Sequence, residues 1–217
     1  TGLLLRCETP SQVMAVIAHE AGHIAGGHLT RLHDQLRDST AQAILGAILG
    51  TAVAVATGNP GAGAAIITGG QAAGQNSLLQ YSRVQEAAAD AAALGYLDRA
   101  GMSSRGMLEV LQLLSRQEAI AGLQPDPYFR THPLSSERAV AVANHLSLSR
   151  YANVPDPAPL REAHDRLRAK LFGFTRPLDQ VLARYPASNT SVSARYARAI
   201  AYFFGSLLFL LLIAGLV

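Results

Sequence analysis

Cysteine is nearly absent: Cys7 stands alone, so no internal disulfide can staple the chain and its redox compartment is not reported. Charge is scarce as well, with 15% charged residues against 49% hydrophobic in 217 residues. That balance excludes a disordered chain and permits contact with lipid. The net charge of +3 is too small to mark a nucleic-acid binder, and neither a zinc-finger spacing nor an aromatic-basic platform is present. The chain opens at Thr1 without an initiator methionine or a signal-peptide pattern, which reads as a processed or truncated start. Its length suits one sizeable domain, or one domain with a small appendage.

The charge is unevenly placed. Up to Asp156 there are ten arginines against twelve carboxylates, whereas from Ala158 onward seven arginines and Lys170 face only Glu162, Asp165 and Asp179. The tail half is therefore basic, which suits a solvated helical face and also acidic partners or lipid head groups.

Against this background stands an apolar helix carrying His19-Glu20-Ala21-Gly22-His23. Two histidines four residues apart leave one face of a helix and can share a metal. Zn²⁺ favours a tetrahedron of three protein ligands and one water, and Glu20 lies beside the pair as a candidate base for that water. Charge on so apolar a helix is expensive unless it has a partner.

Two arrangements can supply a third ligand. In the first, a histidine follows the second one by six residues, a position held here by Leu29. His28 misses by one, and on a continuous helix one residue turns by about 100°, so His28 should point away from the metal as a core hydrogen-bonding residue. In the second, a later helix brings a carboxylate. Glu86 and Asp90 lie four apart on an otherwise alanine-rich face. Glu86 is then the third ligand, and Asp90 holds a ligand imidazole in its tautomer.

Residues 1–8 include an apolar run compatible with an edge strand. Thr9 and Pro10 make a helix start, and the helix should run from about Ser11 to about Leu36. Gly22, Gly26 and Gly27 weaken it by roughly 1 kcal/mol each relative to alanine. Residues 40–74 contain no charge at all and read as a helical hairpin around Gly58-Asn59-Pro60-Gly61, docked on the catalytic domain or on a membrane surface. Each arm is shorter than the roughly 20 residues of a bilayer span. Helices should follow from Gln75 to Ala100, from Ser103 or Ser104 to about Ala121, and from Glu137 to about Leu148. A proline-marked loop with His132 lies between the last two, and after the proline-rich stretch 154–159 three more helical segments close the chain. Residues 199–217 carry no charge and follow Arg195 and Arg198, which makes them a membrane-span candidate with a basic flank.

Taken in order, His19-Glu-x-x-His23, Ser82-Arg83-x-x-Glu86-x-x-x-Asp90, and Thr131-His132-Pro133 with Glu137-Arg138 resemble the gluzincin peptidases that include HtpX and the CAAX prenyl protease. Within that family they are most similar to the BepA-like periplasmic branch, which has a carboxy-terminal tetratricopeptide-repeat region. The resemblance covers about residues 2–146. It implies that His19, His23 and Glu86 bind zinc, that Glu20 is the base and that Asp90 supports a ligand. His132 and Arg138 match positions that approach the cleft and help stabilise the transition state, although in this branch the matching histidine can instead take the fourth zinc position and silence the enzyme. Read without the family, His132 is a loop histidine and Arg138 caps or salt-bridges its helix.

The expected fold is mainly α: a helical gluzincin-type domain with at most a small sheet over residues 1–153, a linker at 154–159, and a repeat-like helical region over 160–217. The expected function is zinc-dependent cleavage of protein or peptide substrates in envelope quality control, in the bacterial periplasm. One alternative is a chaperone or adaptor for outer-membrane protein assembly whose proteolysis is latched. Another is an HtpX-like integral-membrane protease with spans at 42–74 and 199–217.

Overall fold

The computed structural model describes residues 2–121, 132 and 136–213, and every regular element among the described residues is an α-helix. The apolar run at the start, expected as an edge strand, is instead the short helix α1 (Gly2–Arg6). Its backbone bonds are satisfied locally, beginning with Cys7 N–H to Leu3 O at 3.0 Å, and no strand among the described residues offers it a ladder. The chain divides into two compact units, residues 15–152 and residues 1–14 with 153–217.

α2 (Pro10–Ala25) starts as the sequence dictates, with proline in its first turn and Gln12 N–H donating to Thr9 Oγ1 at 3.4 Å. It does not continue to Leu36. The chain turns at Gly27, which adopts a left-handed φ of 62°, and α3 (His28–Thr57) begins at once in a new direction. Gly26 is needed for a separate reason: a Cβ there would overlap the His28 imidazole, which folds back across it.

α3 then runs unbroken into the uncharged region and returns as α4 (Pro60–Arg99). The turn closes with Gly58 left-handed, Asn59 accepting from Ala62 N at 3.2 Å and Pro60 in the first turn of α4. The weak helix expected over 62–74 and the strong one expected from Gln75 are thus one. Glycine does not break α4, and three of its glycines, Gly63, Gly70 and Gly74, face α3 where the backbones nearly touch; a Cβ on Gly70 would come within 2.8 Å of Gly46 Cα. Tertiary contact here outweighs poor helix propensity.

α5 (Arg105–Ala121) and α6 (Ser136–Leu148) complete this unit, with α6 packed against both α4 and α5. Ala89, Ala93, Leu94 and Leu97 of α4, Val110, Leu111 and Leu114 of α5, and Val142 and Leu146 of α6 are buried. The loop expected between α5 and α6 lies, apart from His132, outside the described residues.

In the other unit α7 (Ala158–Thr175), α8 (Leu178–Arg184) and α9 (Val192–Ile213) enclose a small core of Ala169, Val181, Ala197 and Ala201. α1 is tied to α7 by its last carbonyls: His164 Nε2 lies 3.1 Å from Cys7 O, and Arg168 Nη2 donates to Leu5 O at 3.3 Å.

Candidate metal centre

α2 and α4 approach closely because Gly22 faces α4 where a side chain would not fit: a Cβ on Gly22 would lie 2.7 Å from Ala89 O. That approach presents His19 and His23, one turn apart on α2, to Glu86 and Asp90, one turn apart on α4. His19 Nε2 and His23 Nε2 are 3.0 Å apart. Glu86 meets both, with Oε2 at 3.3 Å from His19 Nε2 and Oε1 at 3.2 Å from His23 Nε2. His132 joins from the segment before α6, its Nδ1 lying 3.1 Å from Glu86 Oε1 and 3.4 Å from His19 Nε2.

These four side chains each offer a ligand atom, all within 4.8 Å of one another. A tetrahedral zinc site with bonds of about 2.0–2.1 Å has edges of about 3.3 Å between ligand atoms, and the five distances just given cluster around that value. Three imidazoles and one carboxylate are also the donor chemistry that zinc accepts.

The charges fit a cation equally well. Burial alone would raise the Glu86 carboxyl, but hydrogen bonds with His132 and His19 and the Arg138 charge hold it far below the usual carboxylate range. Burial likewise opposes ionisation of Asp90, and His19 and Arg138 outweigh it. Two buried carboxylates thus stay ionised beside one guanidinium. His19 responds: burial works against its charge, yet Asp90 and Glu86 lift its imidazole to about 9. Without a metal the cluster completes its charge balance with a proton on His19. A divalent cation would displace that proton, because a ligating histidine must be neutral.

Behind the four donors lies a supporting layer. Asp90 Oδ1 is 2.8 Å from His19 Nδ1, the arrangement in which a carboxylate fixes the tautomer of a histidine that presents Nε2 forward. Arg138, buried on α6, donates its Nε and Nη2 to Asp90 at 2.6 and 2.8 Å and reaches Glu86 Oε2 through Nη1 at 2.7 Å. It therefore braces both carboxylates from the rear.

His28 does not point away as helical phase required. The break at Gly27 swings it back so that its Nδ1 lies 2.8 Å from His23 Nδ1. Burial lowers the pKa of both imidazoles, so they meet as neutral rings. If His23 presents Nε2 to a metal, its Nδ1–H donates to His28. The only hint in the sequence was the Gly26-Gly27 pair, which had to be read as a corner rather than as a weak helix.

Glu20 stands at the mouth, its side chain 43% exposed and Oε1 3.5 Å from His132 Nε2. It borders a cleft of about 380 Å³ that His23, Leu29, Leu32, Tyr81 and His132 also line. A metal position, an accessible carboxylate and a cleft of this kind together provide for hydrolysis of an extended substrate.

A family model places the chain in the same class. The model for peptidase family M48 matches residues 1–146. The chain belongs to that family.

Among curated proteins it is similar to the beta-barrel assembly-enhancing protease of Yersinia pestis, 28% identical over 189 residues that cover 86% of this chain and 35% of the relative. The protein of the same name in Escherichia coli strain K12 is 30% identical over 166 residues, 75% of this chain and 32% of the relative. Metalloprotease LoiP of that strain is 31% identical over 147 residues, 66% of this chain and 53% of the relative. The chain thus spans about a third of the length of the first two relatives. No solved structure matches it significantly.

Proposed function

We propose that the chain is a zinc-dependent endopeptidase of protein substrates, with His19, His23 and Glu86 holding the metal. The observation that carries this reading is the convergence of four ligand-type side chains with donor atoms within 4.8 Å of one another, beside an exposed Glu20 on an open cleft. Bound there, zinc supplies Lewis acidity that makes water a nucleophile near neutral pH. Glu20 takes the proton of the attacking water and returns it to the leaving amine. Asp90 and His28 hold the two imidazoles in orientation, and Arg138 positions Glu86 and Asp90. Ile24, Leu29 and Leu32, all exposed, give the approach to the cleft an apolar wall suited to apolar side chains of an extended peptide. Two relatives are named for beta-barrel assembly, which supports a setting in the bacterial envelope with outer-membrane assembly machinery as a partner. The region 160–217 is proposed as a repeat-like element that docks that partner.

Metal content and peptide hydrolysis, measured on the same preparations, test the assignment. His19→Ala should lose the metal. Glu20→Gln should keep it and lose cleavage by about 10²–10⁴-fold, the range typical of a removed general base. Normal turnover by Glu20→Gln would refute the role of Glu20.

His132 supports a second reading, in which the protein acts mainly as a chaperone or adaptor with its proteolysis latched. Its Nδ1 sits among the donors while its Nε2 faces Glu20, so one imidazole takes the fourth donor position and approaches the base. If the latch holds, His132→Ala raises hydrolysis. If His132 stabilises the transition state, the same variant lowers it.

A further inference from the structure

Between Ser39 and Ser82 the paired parts of α3 and α4 contribute no side chain to the metal centre, and they form the longest uncharged stretch of the chain. From Ser39 to Ser82 there is no Asp, Glu, Lys, Arg or His. α3 is long and apolar enough to cross a membrane, and only 11% of its most apolar window is buried. Ile44, Leu45, Ile48, Leu49 and Val55 stand out from the hairpin at 50–81% exposure. In an aqueous setting that is a costly surface to leave uncovered.

The polar groups of the hairpin identify what covers it. Thr51, Thr57 and Thr68 each return their hydroxyl to the carbonyl four residues back, at 2.7–2.9 Å. Asn59 spends its side chain on the first turn of α4. Both helices meet through glycine, Gly46 against Gly70 and Gly50 against Gly63, with Ala54 and Ile67 filling the seam, while α3 turns its larger side chains Ile44, Leu45, Ile48, Leu49 and Val55 outward. A partner protein would call for polar groups to register it. Lipid calls for internally satisfied hydroxyls and a small-residue seam.

The depth follows from where exposed amides lie. Gln42, Gln71, Gln75 and Asn76 are exposed, and all lie on the side of the Gly46–Gly70 contact away from the turn. Beyond that contact α3 has only residues 47–57 before the turn, about 17 Å at 1.5 Å per residue. A hydrocarbon core of about 30 Å has leaflets of about 15 Å. We propose that the distal hairpin, residues 47–69, inserts into a single leaflet of a lipid bilayer and anchors the protein to it, rather than spanning the membrane.

The sequence has no tryptophan, so Val55→Trp introduces one reporter on the exposed face. The whole chain is mixed with vesicles of phosphatidylethanolamine and phosphatidylglycerol, and with phosphatidylcholine vesicles as a neutral control. Flotation of the unsubstituted chain with both vesicle types, undiminished by high salt, is expected. The Val55→Trp variant should shift its emission to the blue and be quenched by lipids brominated along the acyl chain. Ile48→Glu should weaken flotation at least tenfold while leaving helicity and thermal unfolding unchanged, because Ile48 is outward-facing. Emission unchanged by vesicles would overturn the proposal. So would flotation abolished by salt, which would make the attraction electrostatic. A blue shift that grows with protein concentration in the absence of lipid would also overturn it, in favour of a second copy as the occupant. None of these readouts requires turnover, so the result stands apart from the peptidase reading.

Discussion

Near its end α4 buries Glu86 and Asp90 among three imidazoles and a guanidinium, whereas its first half, paired with α3, has no charged residue and leaves its neighbour's isoleucines and leucines exposed. Both regions rely on the same backbone device. A glycine lets two helices approach until a Cβ would touch the opposing chain, at Gly22 against Ala89 in one case and at Gly46 against Gly70 in the other. What differs is the chemistry that the close approach brings together. At the metal centre it concentrates polar groups that must satisfy one another. In the hairpin it thins the seam to glycine, Ala54 and Ile67 and leaves the large apolar side chains of α3 outward.

The largest effect that separates the two regions is expected at Arg138. Arg138→Ala leaves Glu86 and Asp90 buried with one guanidinium fewer, and breaking a buried pair in this way costs about 3–5 kcal/mol. Urea unfolding of the metal-free chain should show that loss, and added zinc should recover part of it by binding the folded state. Equal stability of the variant would mean that the cluster is solvated rather than buried.

Next comes the comparison of two glycines. Gly22→Ala and Gly50→Ala should each cost about 1–3 kcal/mol, the usual penalty for overpacking a tight contact. Only Gly22→Ala should also lower metal content, because only that contact sets α2 against α4. Equal metal loss in both variants would show that the hairpin and the centre are one mechanical unit.

The smallest change is expected at His28. His28→Ala removes the partner of His23 Nδ1 and should weaken zinc binding about 10–100-fold, the range for a lost outer partner of a metal ligand, with little change in helicity. Calorimetric zinc titration measures it, and His28→Gln, which keeps an acceptor, should restore part of the affinity.

Much of the metal centre was legible in the sequence because it is written in helix periodicity. His19 with His23 and Glu86 with Asp90 are each four apart, and that spacing fixes a shared face before any tertiary contact forms. His28 is the buried hydrogen-bonding residue expected, but its direction was misread by the same rule, since phase carries across a helix only while the helix continues. The edge strand expected near Thr1 failed for a related reason: a short apolar run fits strand or helix equally well, and the choice falls to what lies beside it. The glycine-rich hairpin was recognisable from composition, but its length as two unbroken helices was not, because propensity treats each glycine as a cost and cannot see the facing backbone that repays it.

The sequence by itself determined the side chains offered to the candidate centre, their pairing along each helix and the uncharged reach of the hairpin, all of which depend on neighbours within a turn or two. Only the tertiary structure decided that Asp90 stands behind His19, that Arg138 braces both carboxylates from a distant helix, and that His28 turns back to His23. Those relations arise where separate helices meet, and their distances are set by which side chains are small enough to let the backbones close.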